Sequence, residues 1–270
     1  MVDKALLNHP LLTTEDEAVY TPEDHETWSI LYNKLRNLLP QYAAPEVLSG
    51  MDKLNITKHE IPNFDSLNKV LKRETNFSVT PVKGLIPHEP FFALLANRCF
   101  PTSCFIRKRE QLEYLVEPDV FHDIFGHIPL LVHPVFADFM QEFGKQGLES
   151  IKHGINDQFA ALYWFTVEFG LIHTRQGLRI YGAGITSSIA ETIYSIDSEI
   201  PNRLAFDMIR AMKTEYEIHH MQKSYFVIRD YQELFDTIKQ INWDMLKENL
   251  QSRSFIPEGK VLTEQERFTA

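Results

Sequence analysis

Apolar positions recur at helical spacing along much of the chain, and that pattern sets the first expectations. Thr21-Pro22-Glu23-Asp24 reads as a helix start. Thr caps free amides, Pro is tolerated at the first helical position, and acids suit the positive end of the helix dipole. Trp28, Leu31, Tyr32, Leu35, Leu38 and Leu39 follow at helical spacing, and Pro40 is expected to close the segment. Short helices are expected at 45–51 and 65–74, and extended chain at 78–82 and 85–86. The apolar run 91–99 predicts a buried helix, and 118–127 and 134–145 predict two more. Residues 157–171 are apolar nearly all round, as a central helix would be, with Glu168 out of place among them. The Gly-rich stretch 179–185 predicts a strand with bends, 225–228 a strand, and 231–241 an amphipathic helix. The whole is mainly α with a few short β-strands. It divides into an N-terminal arm at 1–19, one domain at 20–250 and a C-terminal extension at 251–270.

Composition narrows the class. With 270 residues, 44% hydrophobic and 24% charged, the chain can bury a sizeable core and is neither disordered nor fibrous. A formal net charge of −10 argues against nucleic-acid partners, and the longest basic cluster, Arg107-Lys108-Arg109, is too short for a nucleic-acid tract. No apolar run approaches the roughly 20 residues that span a bilayer, and residues 1–17 lack the pattern of a secretory signal. Cys99 and Cys104, five apart, fit neither a redox CxxC nor a zinc knuckle. A cytoplasmic protein with two reduced thiols is expected.

The chemistry concentrates at 117–129, where His122 and His127 stand five apart. On a regular α-helix that spacing separates side chains by about 140°, which is poor for sharing an ion. If both bind one metal, the helix must end or bulge near Gly126, and Pro129 then stops it. Glu168, in Tyr163-Trp164-Phe165-Thr166-Val167-Glu168-Phe169-Gly170, is a carboxylate in an apolar run. Buried alone, it would cost several kcal/mol or stay protonated. A divalent cation removes that problem. Two imidazoles and one carboxylate occupy one face of an iron(II) ion and leave positions open. Spacing alone leaves alternatives: Glu168 in a salt bridge, and His133 or His173 as a competing ligand.

At these residues the sequence resembles the pterin-dependent aromatic amino acid hydroxylases, over residues 20–241. The resemblance rests on Pro118-Asp119 through Gly126-His127-Ile128-Pro129, on 163–170, and on Tyr181-Gly182-Ala183-Gly184 with Ser187-Ser188. It implies a single catalytic domain of that family's type. The implied reaction is that of the family's bacterial phenylalanine-hydroxylating members. L-phenylalanine, O2 and tetrahydropterin give L-tyrosine and a hydroxylated pterin, with Fe(II) at His122, His127 and Glu168. By position, the resemblance assigns Arg107 to the substrate carboxylate, braced by Asp119, and Pro118 and Trp164 to the substrate ring pocket. Ser187 supports the first His ligand. The resemblance also makes Phe91 the aromatic on which the pterin stacks, with Leu85, Ile86, His88, Asp123, Ala160 and Tyr163 completing that site.

The sequence also departs from the family pattern. Asp123 stands where animal members carry Glu, Asn76-Phe77 where many bacterial members carry Gly-Trp, and Pro101 where animal members carry His. The animal regulatory domain and tetramerisation helix have no counterpart in these residues. A monomer or dimer is therefore expected, without nucleic-acid or membrane partners. Two rivals stand beside phenylalanine hydroxylation. Within the family the substrate could be tyrosine or tryptophan, against which Ile218 stands where tyrosine hydroxylases carry an acid. Outside it, the triad could serve a zinc hydrolase, against which HExxH is absent.

Overall fold

The computed structural model of the protein describes residues 19–112, 117–251 and 255–269, so the expected N-terminal arm falls, apart from Val19, outside the described residues. Helix α1 (Pro22–Arg36) starts at a reciprocal cap in which Thr21 Oγ1 accepts from the Asp24 amide at 3.3 Å and Asp24 Oδ2 accepts from the Thr21 amide at 2.8 Å. Trp28, Leu31 and Leu35 bury its apolar stripe. Pro40 does not close this run as expected. It sits in the first turn of a second short helix, α2 (Leu39–Tyr42), where its missing N–H is no loss. Helices α3 (Pro45–Lys53) and α4 (Phe64–Thr75) follow. Asn76 ends α4 in the left-handed region at φ 58°, a position that favours Gly and tolerates Asn.

Strand β1 (Ser78–Val82), helix α5 (His88–Ala96) and strand β2 (Cys99–Ser103) form a right-sized crossover unit in which the two strands pair in parallel, Ser78 opposite Cys99 through Val82 opposite Ser103. The expected helix at 91–99 is thus shifted toward the N-terminus. Arg98 takes a left-handed φ of 55°, which ends the helix and sends Cys99 into the strand. Residues 85–86 are loop rather than strand.

Past the region 122–132, helix α6 (Pro134–His153) crosses the molecule. Its Phe136, Phe139, Met140 and Phe143 are buried, and Phe143 meets Phe92 of α5 at 6.0 Å and Phe159 of α7 (Asn156–Tyr163) at 4.5 Å. Each buried ring stabilises by roughly 1.5–3 kcal/mol. Gly144 allows α5 this close, since a Cβ there would fall 2.2 Å from the Ala96 amide nitrogen.

The remaining strands β3 (Leu171–Thr174), β4 (Gly177–Ile180), β5 (Asn202–Ala205) and β6 (Ser224–Ile228) make one sheet in the order β4-β3-β6-β5. Between them lie α8 (Ala183–Thr186), α9 (Ile189–Asp197) and α10 (Met208–Lys213); α11 (Tyr231–Lys239) and α12 (Trp243–Gln251) close the order. The bent strand expected at 179–185 is therefore a strand that stops at Ile180 and a helical turn that starts at Ala183. Residues 255–268 lie along this side of the molecule: the Ile256 amide donates to Lys213 O at 2.8 Å and the Phe268 amide to Arg203 O at 2.8 Å. No helix among the described residues is long and apolar enough to cross a membrane.

Candidate metal centre

The chain around His122 resolves the spacing problem in the sequence. Residues His122–His127 form a π-helical turn, with the Ile128 amide donating to Asp123 O. Bonds of the i→i+5 type take one more residue per turn than an α-helix, so side chains five apart come to one side. A 3-10 turn, Ile128–Val132, carries the chain away past Pro129. The second segment repeats the device. Helix α7 runs into a π-helical stretch, Trp164–Glu168, closed by the Phe169 amide donating to Trp164 O at 2.9 Å. Gly182 lets the chain before α8 lie against this end: a Cβ there would fall 2.3 Å from Glu168 O.

These two turns bring three side chains together. His122 Nε2 and His127 Nε2 are 3.0 Å apart, His127 Nε2 and Glu168 Oε1 3.1 Å, and His122 Nε2 and Glu168 Oε2 3.5 Å. Donor atoms bound about 2.1 Å from one ion at right angles stand about 3.0 Å apart, so the spacing suits a single first-row divalent ion. Proton positions follow from the neighbours. Ser187 Oγ donates its hydrogen to Ala183 O at 2.7 Å, so toward His122 Nδ1, 2.9 Å away, it accepts. The proton of a neutral His122 is then on Nδ1, and the bare Nε2 faces Glu168 and His127. Burial works against the Glu168 carboxylate, yet the two imidazoles hold its pKa well below the usual range. Burial likewise works against a proton on His122, and Glu168 still holds that pKa above its ordinary value. Both directions express one demand, for positive charge among these groups.

Asp123 stands nearby, one of a group with His122 and His127 whose donor atoms lie within 4.8 Å of one another. Its Oδ2 accepts from the Ser103 amide at 2.7 Å. The Glu168 oxygens each come within 3.5 Å of an imidazole nitrogen, which suits a third donor beside the two histidines. Burial raises the Asp123 carboxyl pKa above its ordinary value. The alternative histidines lie in other surroundings: His133 packs on Tyr231 at 5.1 Å and His173 on Phe268 at 5.2 Å.

A cavity of about 170 Å³ opens over these three side chains. Of the residues singled out from the sequence, Leu85, Ile86, Phe91, Pro118, Asp123 and Tyr163 line it with the ligands; His88, Ala160, Trp164, Arg107, Asp119 and Ser187 do not. Phe91 and Tyr163 meet edge to face at 5.3 Å. Val82, Gly84, Phe100, Pro101 and Ser103 also line the cavity and were missed as site residues. Phe100, Pro101 and Ser103 lie on β2, which carries a Pro and only five residues, and this hid it from a periodicity reading.

Arg107 and Asp119 form a buried pair. Asp119, fully buried, accepts from Arg107 Nε at 2.8 Å, Arg107 Nη2 at 2.9 Å, the Arg107 amide at 2.9 Å and the His122 amide at 3.0 Å. One edge of the guanidinium is thereby taken, and the same carboxylate caps the metal turn. Arg109 leads away and pairs with Glu26. Trp164 is half-buried. Its Nε1 donates to Gln222 Oε1 at 2.8 Å, and its ring stacks on Tyr216 at 4.7 Å.

The model of the biopterin-dependent aromatic amino acid hydroxylases matches residues 13–264. The chain belongs to this family. It is 52% identical over 220 residues to the phenylalanine-4-hydroxylase of Ralstonia nicotianae, covering 82% of this chain and 70% of that one. A crystal structure of the phenylalanine hydroxylase of Chromobacterium violaceum bound to cobalt superposes with a TM-score of 0.89 at 45% identity, covering 91% of this chain and 88% of that one. The tyrosine 3-monooxygenase of Bos taurus is more distant, at 34% over 228 residues, 82% of this chain and 45% of that protein. This biopterin-dependent hydroxylase is therefore an aromatic amino acid monooxygenase, and iron and tetrahydropterin are the cofactors of its family. The zinc-hydrolase alternative falls with that membership.

Proposed function

We propose that this hydroxylase converts L-phenylalanine to L-tyrosine, with Fe(II) held by His122, His127 and Glu168. The observation that carries the metal assignment is the set of three side chains, His127 buried and His122 and Glu168 each 15% exposed, whose donor atoms lie 3.0–3.5 Å from one another beneath one open cavity. The substrate assignment is supported by phenylalanine-hydroxylating relatives at 45–52% identity against 34% for a tyrosine-hydroxylating one. Ile218 adds to it: an apolar residue stands where tyrosine hydroxylases carry an acid.

Held at His122, His127 and Glu168 and beside Phe91, iron and the reduced pterin would supply the oxygen-activating chemistry of the family. The protein's part is to hold the reactants in one geometry. Three protein donors on one side would leave the other side of an ion open to the cavity. Ser187 fixes the orientation of His122 through Nδ1. Phe91 offers a ring face to the pterin, with Leu85, Ile86, Asp123 and Tyr163 around it and His88 and Ala160 set back from the cavity. Arg107, its Nε edge fixed by Asp119, offers its other edge to the amino-acid carboxylate. Pro118 lines the cavity, and Trp164, set back from it, is read as the far wall of the space for the substrate ring. The domain of this chemistry is 20–250, with 251–270 as an extension whose described residues lie against it.

Product analysis tests this reading. Incubated separately with phenylalanine, tyrosine and tryptophan, each with Fe(II) and tetrahydropterin, the enzyme should turn over phenylalanine fastest and release tyrosine. Faster hydroxylation of tyrosine or tryptophan would overturn the substrate assignment. With zinc in place of iron, the protein should bind the ion and form no tyrosine, since zinc has no redox chemistry. Phe91→Ala should weaken pterin binding by about 0.5–1.5 kcal/mol through lost stacking, read as a raised KM for tetrahydropterin at unchanged iron content. A complex with pterin stacked on another ring would refute that role.

A further inference from the structure

Gln222 is 1% exposed, and its side-chain amide is engaged on both sides. Oε1 accepts from Trp164 Nε1 at 2.8 Å, while Nε2 donates to Glu217 O at 3.1 Å and to His220 O at 3.2 Å. The partners' chemistry fixes the amide's orientation, because an indole N–H only donates and a carbonyl oxygen only accepts. The backbone is held as well: the Gln222 amide donates to Glu191 Oε1 at 3.2 Å, and that buried carboxylate also accepts from the Tyr225 hydroxyl. At its other end the loop is tied to the C-terminal extension, where the Glu215 amide donates to Ile256 O at 2.9 Å. The loop between these anchors carries Tyr216, stacked on the indole at 4.7 Å and 21°. Phe169 packs on the same indole at 4.6 Å. Trp164 itself opens the π-helical stretch that ends at Glu168.

We propose that Gln222 is a positioning residue for the amino-acid ring pocket: its amide bridges loop 216–221 to the Trp164 indole and sets the wall against which the substrate ring packs. The proposal rests on the reading of Trp164 as part of that wall. A simple core residue would need neither the indole nor the loop carbonyls. Gln222 instead couples a surface loop, through one buried amide, to a side chain four residues before a metal ligand. It touches no reacting atom. Its effect is on where the substrate ring stands relative to the iron, and so on whether pterin oxidation ends in hydroxylated amino acid.

A double-mutant cycle on the iron-loaded enzyme with tetrahydropterin tests this, using Gln222→Met, Trp164→Phe and the pair. The readouts are KM for phenylalanine, KM for tetrahydropterin, and tyrosine formed per tetrahydropterin oxidised, with iron content and thermal midpoint as controls of folding. Gln222→Met should raise the phenylalanine KM about tenfold and lower the tyrosine yield per pterin, leaving the pterin KM unchanged. Trp164→Phe should act in the same direction, and the double variant should be no worse than Trp164→Phe alone to within about twofold. If Trp164→Phe leaves both substrate readouts unchanged, the ring-pocket reading is wrong and the proposal goes with it. If Trp164→Phe is impaired while folded Gln222→Met matches the wild type, only the role of Gln222 is overturned. Effects that multiply in the double variant overturn it too, since Gln222 then acts elsewhere. Should Gln222→Met not fold, Gln222→Glu keeps the acceptor for the indole and removes both donors to the loop. A wild-type phenylalanine KM and yield in that variant would rule out the bridge.

Discussion

His127→Ala is expected to give a folded protein that retains no iron and forms no measurable tyrosine. His127 is buried, with its ring 4.8 Å from Phe100, so its loss opens a void and costs a few kcal/mol of stability. The larger effect is on the ion. Two donors, His122 and Glu168, remain 3.5 Å apart and cannot hold one face of a six-coordinate ion. A metal's contribution of several kcal/mol corresponds to at least about a thousandfold in rate, and here the metal also carries the redox chemistry. Iron content per chain and tyrosine release would be measured together. Full activity in His127→Ala, or stoichiometric iron without activity, would remove His127 from the ligand set. Glu168→Gln is the sharper companion: it keeps the size and an acceptor oxygen but removes the charge that the two imidazoles surround.

Arg107→Lys carries the second large effect. The guanidinium makes two parallel bonds to Asp119 along its Nε edge, at 2.8 and 2.9 Å, and retains a second edge for another carboxylate. Lys has one point of charge and three rotatable donors, and cannot serve both partners with a planar fork. The KM for phenylalanine should rise by the equivalent of roughly 1.5–3 kcal/mol, with pterin KM and iron content little changed. Part of the loss would come through Asp119, which also caps the turn at the His122 amide. Arg109→Lys is the control, since Arg109 pairs with Glu26 at the surface. A phenylalanine KM unmoved by Arg107→Lys, or a larger effect from Arg109→Lys, would show that the carboxylate is bound elsewhere.

The helices with one apolar stripe were legible in the sequence. Thr21 and Asp24 announced α1, and the buried face of Leu67 and Leu71 in α4 follows its periodicity. The carboxylate at 168 was legible as an anomaly, because its neighbours are apolar. What the sequence hid depends on contacts distant along the chain. Strand β5, four residues long, has a role only because β6 and residues 267–268 lie beside it. Strand β2 needs β1 across a helical connection, and its Pro101 reads as a breaker. Gln222 gave no signal at all: one amide before a strand means nothing until Trp164, 58 residues earlier, is found against it. The five-residue spacing of the histidines was legible as a problem, and Gly126 as a place where it could be solved, but the i→i+5 bonding could not be read from residue type.

That bonding has a consequence for how this protein tolerates change. A π-turn is an α-helix with one residue too many. Deleting a single residue within 122–127 or 164–168 would let either segment relax to α, turning the chain on one side of the deletion by about 100° relative to the other. Two histidines left four apart would still share one helix face, but the turned chain would carry one segment's donors out of register with the other's while most of the apolar contacts on either side survived. Substitutions at non-ligand positions in these turns change side chains and leave the count intact. The metal centre is therefore written partly in arithmetic: sequences that drift freely in composition here can keep it, and sequences that gain or lose one position at either turn cannot.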